Sequence, residues 1–314
     1  MSTVTAPAAS DAPVTASSPT PTKRPSWLRR HSPPYWLSIV GGGWMLLFFL
    51  IPLLSGLIVS LETGNPVSGY TLTWNWHIYS QLFVHSDIPY TTFFLRSLYY
   101  GVATTILSIL IAYPMAFYIA FRVSDRWKSP LILLVLLSFF VSFVIRTDMW
   151  SFVLAQQGFV ITGLRDLHIV GKNFHILGSS SAVIGGDIYN NLAFMVLPIY
   201  VALERIDRRI LEAARDLYSN GRQVFFRVVL PLSRAGIFAG VLLVFITTVG
   251  DPVNSALLGG VGTYTIGQAI QDSYLTNQQF NVAAALSTVL MVILGIIMFA
   301  YARIFGTENL ENLV

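Results

Sequence analysis

Six stretches of the chain are almost unbroken in apolar residues: 36–61, 93–121, 130–155, 180–203, 236–258 and 281–304. A helix rising 1.5 Å per residue needs roughly 20 residues to cross about 30 Å of hydrocarbon, and each stretch is long enough. The pattern predicts an all-α membrane protein with six transmembrane helices. Pro52, Pro114 and Pro198 fall inside these runs, where neighbouring helices can re-satisfy the carbonyls that a proline frees. The third run carries Arg146 and Asp148 in its middle. Ahead of the first run, residues 1–34 are rich in Ala, Ser, Thr and Pro, lack periodicity and end in Lys23-Arg24 and Arg29-Arg30. They predict a disordered tail. A cleaved signal would set its charges before a short apolar core. Here the apolar run comes late and is long, so the first helix is expected in the mature protein. Residues 306–314 read as a second, short tail.

Between the fourth and fifth runs the pattern changes. Residues 204–231, ERIDRRILEAARDLYSNGRQVFFRVVLP, hold six Arg and four acids. Ile206, Ile210, Leu211, Ala214 and Leu217 recur at helical spacing with charge on the other faces, which predicts an amphipathic helix. Ala213 and Ala214 offer a small surface where another backbone could approach. Glu212, Arg215 and Asp216 offer charged contacts around it. Gly221 can relax the chain, and Pro231 predicts that a second short helix ends before the fifth span. The plain alternative is a surface helix that only tethers two spans.

Composition agrees with the pattern: 54% apolar and 11% charged residues, with a mean hydropathy of +0.64, where a soluble domain is about 25% charged. With no Cys, disulfides, thiolate metal sites and Cys nucleophiles are excluded together. The net charge of +4 matters less than its distribution. In the six-span layout fifteen of the nineteen Lys and Arg lie on one side, and only Arg96, Arg146, Arg165 and Lys172 on the other. Positive residues stay in the cytoplasm, so both termini and residues 204–231 are expected there. The outer loops, about 62–92 and 156–179, carry Trp74, Trp76, Tyr79 and Tyr90, which suit an aromatic belt or a docked partner.

Glu212-Ala213-Ala214, followed by Val228, Leu230 and Pro231, resembles the EAA loop of ABC importer permeases, the cytoplasmic segment that inserts into a cleft on the ATPase. Tyr218 departs from that pattern, since the family usually has Gly there. The likeness extends to Arg96-Ser97-Leu98-Tyr99-Tyr100, Ala112-Tyr113-Pro114-Met115-Ala116, Arg146-Thr147 with Trp150, Phe194-Met195-Val196-Leu197-Pro198 and Leu257-Leu258-Gly259-Gly260. Over about residues 93–304 the chain is similar to the first permease of spermidine/putrescine importers, although that branch usually has Tyr where this chain has Asp148. The resemblance implies a coupling-helix loop at 204–231, whose contacts to the ATPase are Glu212, Ala213, Ala214, Arg215, Asp216, Gly221, Leu230 and Pro231. It also implies a cell-membrane location and four partner chains: a second homologous permease, two copies of a cytoplasmic ABC ATPase that carry ATP and Mg, and an extracytoplasmic binding protein. An opine, an aminophosphonate, thiamine or iron remains open as cargo.

The chain has no phosphate-binding loop; Gly171-Lys172 is followed by Asn173. It has no HExxH or GxSxG either, so no enzyme and no cofactor are expected in this chain. Charged groups at membrane depth cost about 2.5–3.5 kcal/mol each, which makes each a functional candidate. Asp187, Asp251 and Asp148 could offset a cation's lost hydration along a pathway, with Trp150 and Tyr189 as cation–π partners. The alternatives are that Asp187 caps a helix and Asp148 pairs with Arg146. Two other classes remain at this stage: a self-sufficient proton-coupled carrier, and a scaffold whose Arg-rich loop rests on anionic lipid.

Overall fold

A computed structural model describes residues 35–171, 174–218 and 220–305; the tails expected at 1–34 and 306–314 lie outside them. The chain divides into two units, residues 1–51 and 52–314. The described part of the first unit is the start of helix α1 (Tyr35–Ser60), where the rings of Trp44 and Phe48, one turn apart, lie 4.5 Å from each other. All further elements belong to the second unit.

After α1 the chain makes a small antiparallel hairpin, β1 (Glu62–Asn65) and β2 (Gly69–Leu72). The Asn65 side chain turns it by accepting from the backbone of Val67 and Ser68. The apolar pattern did not predict this hairpin, because four residues of half-exposed ladder leave almost no periodicity. A short helix α2 (His77–Phe83) leads to α3 (Tyr90–Phe121), which runs through Pro114 unbroken. Next come α4 (Asp125–Leu137), extended by a 3₁₀ turn to Phe140, then α5 (Phe143–Leu154) and α6 (Phe159–Asp166). Helix α7 (Ser180–Glu204) starts at Ser179, whose hydroxyl accepts from Ala182 N. The polar segment forms α8 (Arg208–Leu217), α9 (Gly221–Val224), a π turn to Val229 and α10 (Leu230–Leu232). Helices α11 (Arg234–Val249), α12 (Val253–Leu258), α13 (Ile266–Leu275) and α14 (Phe280–Phe305) complete the chain.

Among the described residues, four helices are long and apolar enough to cross a membrane unaided: Gly41–Ser60, α3, α7 and α14. Two bent pairs, 125–140 with 143–166 and 221–232 with 234–249, also pass the test when taken together, which allows up to six spans. The third run, expected to be continuous over 130–155, turns by 93° at Val141 and Ser142, whose backbones are extended. The fifth, expected over 236–258, is a helix only to Val249. Pro252 has no N–H to continue the ladder, and the Asp251 carboxylate accepts from Val253 N at 2.8 Å, which starts α12 afresh. Apolarity set the lengths of these runs, while local backbone chemistry broke them. The polar segment also turns, by 63°, where residues 221–232 meet α11.

The core forms where α3, α7 and α11 pack, with Ala112, Ala116, Met195, Ile199 and Val244 buried between them. The approach is close: a Cβ on Gly236 would stand 2.5 Å from the Pro198 carbonyl oxygen. A second cluster joins α3 and α11 to α13 and α14 through Phe94, Phe245, Val249, Ile266 and Leu286. The motif residues Arg96 and Ser97 pin the loop between α12 and α13, Arg96 donating to the Tyr264 carbonyl at 2.8 Å and Ser97 accepting from Ile266 N at 2.9 Å.

Candidate functional site

The break in the fifth run faces the middle of α7, and a chain of polar side chains fills the junction. Asn254, at the start of α12, donates from Nδ2 to Asp187 Oδ1 at 2.7 Å and to Asp251 Oδ2 at 2.6 Å. Its Oδ1 accepts at 3.0 Å from Asn190 Nδ2, which also donates to Thr147 Oγ1 at 2.7 Å. The Asn190 Oδ1 takes a bond from Arg146 Nε at 2.7 Å. Arg146 reaches on to the carbonyl of Ser138 at 2.5 Å, on the far side of the bend in the third run. All of Arg146, Thr147, Asp187, Asn190 and Asn254 are buried. The approach of α12 depends on Gly186, where a Cβ would lie 2.3 Å from Leu258 Cδ1 and 2.9 Å from Asn254 Oδ1. Beside this chain, Asn191 donates to the Asp187 carbonyl and accepts from Thr247.

The pathway candidates divide. Asp187 and Asp251 come together on one amide, both accepting from Asn254 Nδ2. Asp187 caps nothing, since Ser179 caps α7. Trp150 and Tyr189 meet edge to face at 5.2 Å, and the Arg146 guanidinium lies 5.6 Å from the Tyr189 ring. Asp148 is half-buried on α5 and takes no part in this chain. The expected alternative that Arg146 neutralises it does not hold, because Arg146 bonds to Asn190 and Ser138 instead. Asn190, Asn254, Thr147 and Thr247 escaped a reading that searched apolar runs for formal charge. The signal was present as adjacent amides, Asn190-Asn191, in the middle of a span.

The polar segment is built differently. Asp207 caps α8 by accepting from Arg209 N at 2.9 Å, and Asn220 caps α9 by accepting from Arg222 N at 3.0 Å. Ala214 is buried against Val224 and Val229, whereas Glu212, Ala213, Arg215 and Asp216 are exposed. The two alanines therefore do not form one surface, because neighbouring residues on a helix point about 100° apart. Gly221 has open space around it and needs no glycine-specific backbone. The turn is instead made at Tyr218, which ends α8 in an extended conformation while the Arg227 guanidinium lies 5.3 Å from its ring. A negative φ explains why Tyr serves where the family pattern has Gly. Leu230 and Pro231 are half-buried just before the 63° turn. Beneath α8 lies a cavity of about 690 Å³, lined by Phe117, Phe121, Arg122, Leu211, Glu212 and Val229 among others.

No family model matches the chain. Curated relatives do. The spermidine/putrescine transport system permease protein PotB of Haemophilus influenzae is 36% identical over 260 residues, 83% of this chain and 90% of that protein. The PotB of Escherichia coli K12 is 31% identical over 83% of this chain and 94% of its own. The inner membrane ABC transporter permease protein YdcU of Escherichia coli K12 is 31% identical over 69% of this chain and 72% of its own. Among solved structures, a bacterial ABC transporter for import of the acidic polysaccharide alginate aligns with a TM-score of 0.66 at 18% identity, over 90% of this chain and 96% of that one. A bacterial alginate ABC transporter in complex with an alginate-pentasaccharide-bound periplasmic protein aligns with a TM-score of 0.63 at 19% identity, over 90% of this chain and 96% of that one. These two matches establish a shared fold.

Proposed function

The chain belongs to the family of spermidine/putrescine permeases of ABC importers, and from that premise we propose that it forms half of the translocation pathway for polyamines. The observation that carries the reading is the likeness to spermidine/putrescine permeases along 83% of the chain, at 31–36% identity. It is a multi-pass membrane protein. The excess of Lys and Arg supports an orientation with both termini and residues 204–231 in the cytoplasm.

Exposed Glu212, Ala213, Arg215 and Asp216 on α8 supply the contact surface for a separate ATPase, which carries ATP and Mg. The buried face of the same helix, Ala214 with half-buried Leu211, transmits its movement into α3 and α11. The mechanism is packing, with no bond made or broken in this chain. Two ATPase copies, a second homologous permease and an extracytoplasmic binding protein complete the machine. Within the pathway Asp187 and Asp251 offset the hydration an ammonium group loses, and Trp150 with Tyr189 provides aromatic faces for it. Asp148, half-buried on the same helix as Trp150, is an outlying acid of that path.

The test is ATP hydrolysis by the assembled importer in lipid nanodiscs, with and without its binding protein loaded with spermidine or putrescine. Stimulation by the loaded protein is expected. An intact assembly that responds to no polyamine sinks the cargo assignment and turns the search to opines, aminophosphonates, thiamine or iron. Glu212→Arg is expected to lose ATPase association while the chain stays folded.

A further inference from the structure

The hydrogen bonds that start at Arg146 all run one way. A guanidinium only donates, so the atom of Asn190 that meets its Nε is the amide oxygen. The Asn190 nitrogen is thereby turned to Asn254, whose oxygen accepts. The Asn254 nitrogen then faces the acids and spends both hydrogens on them, one on Asp187 and one on Asp251. Amide orientations are usually inferred from their surroundings, and here an obligate donor at one end and carboxyls at the other leave a single consistent assignment. Such a chain polarises along its length, with its positive end on α5 and its negative end where α7 meets α12. Among the described residues, none of Arg146's direct partners is an acid: they are Asn190, the Ser138 carbonyl and the rings of Phe143 and Tyr189. Its charge is answered two amides away.

We propose that Arg146 is a positioning residue for transport. Acting through Asn190 and Asn254, it is the resident counter-charge of the Asp187–Asp251 pair, and it ties the bend of the third run to the break of the fifth while no cation occupies that pair. This rests on the reading of the pair as part of the polyamine path. An ammonium group that reaches the two carboxyls supplies the counter-charge itself, the Asn254 amide is released, and the two broken helices move independently. Arg146 never touches the cargo.

The test is a double-mutant cycle on the assembled importer in nanodiscs, with no substrate and no binding protein, read as the half-life of the assembly on heating. Arg146→Gln is expected to shorten that half-life about fivefold or more, and adding Asp187→Asn, which removes the charge Arg146 answers, restores at least twofold, since members of one network couple and distant sites do not. Arg146→Lys keeps a cationic donor and retains most of the coupling. The second readout is the ratio of ATP hydrolysis with spermidine-loaded binding protein to basal hydrolysis. Asn190→Asp keeps the volume but cannot donate to Asn254, so it and Arg146→Gln raise the basal rate and lower the ratio by roughly threefold, the scale of a coupling near 0.7 kcal/mol. A purely structural role of Arg146 at the Ser138 carbonyl lowers both rates together and leaves the ratio unchanged. Additive losses in the cycle, or an unchanged ratio, overturn the proposal. If wild type does not respond to any polyamine, the cargo reading fails, and the substrate-free cycle still decides the relay.

Discussion

Residues 204–231 and the junction of α5, α7 and α12 use the same few side-chain types to opposite ends. On α8, Arg209, Glu212, Arg215 and Asp216 face outward and, among the described residues, make no ion pair, while Asp207 caps the start of the helix. At the junction, one Arg, two Asp and two Asn are packed at membrane depth, and each is held by at least one of the others. An exposed ion pair contributes about 0–1 kcal/mol, whereas removing one partner from a buried one costs about 3–5 kcal/mol. The first region can change its charges without loss of fold, which suits a surface selected for a partner. The second cannot, which suits a hinge held by its own polar groups.

The largest effect is expected at the hub of the junction. Asn254→Leu leaves Asp187, Asp251 and Asn190 each short of a partner, and a loss of about 3–5 kcal/mol is expected, seen as failure of the chain to accumulate in a folded assembly. Normal accumulation would erase the contrast between the regions. Within the polar segment, Ala214→Glu places a carboxylate against Val224 and Val229 and is expected to cost several kcal/mol. Ala213→Glu, one residue earlier and exposed, is expected to stay within about 0.5 kcal/mol but to lose ATPase association in pull-down. Equal effects at both positions would show that α8 is not divided as described. Gly236→Val forces the added carbons against the Pro198 carbonyl, and about 1–3 kcal/mol is expected as a lower thermal midpoint. A smaller effect than at Gly236 is expected for Tyr218→Gly, the residue the family pattern has there. Loss of the ring beneath Arg227 is expected to cost about 0.5–1 kcal/mol, read as faster hydrogen exchange at the end of α8.

Much of this architecture was legible in the residues. The amphipathic period over 206–217 predicted α8, and the caps at Asp207 and Asn220 bound α8 and α9. Glu212-Ala213-Ala214 with Leu230-Pro231 pointed to the chain's family before any geometry. The split between the alanines was not legible, because which face of α8 is covered depends on α9 and the π turn folding back onto it. The candidate site was half legible. Asp187 and Asp251 stood out as charges in apolar runs, yet nothing local shows that they share Asn254 across 67 and 3 residues of chain. The amides carry no formal charge to mark them, and the worth of an Asn in a span depends on who receives its hydrogens.

The sequence by itself determined the membrane class, the number and length of the apolar runs, the charged segment between the fourth and fifth, and the family. These follow from composition and from patterns within a few turns of helix, where transfer to hydrocarbon and local hydrogen bonding act on each residue nearly independently. The tertiary structure decided where the third and fifth runs break and what joins the breaks. A buried polar group at such depth is tolerable only when its partners are met, and the partners of Arg146, Asn190 and Asn254 lie on other helices, set there by the packing of α3, α7 and α11.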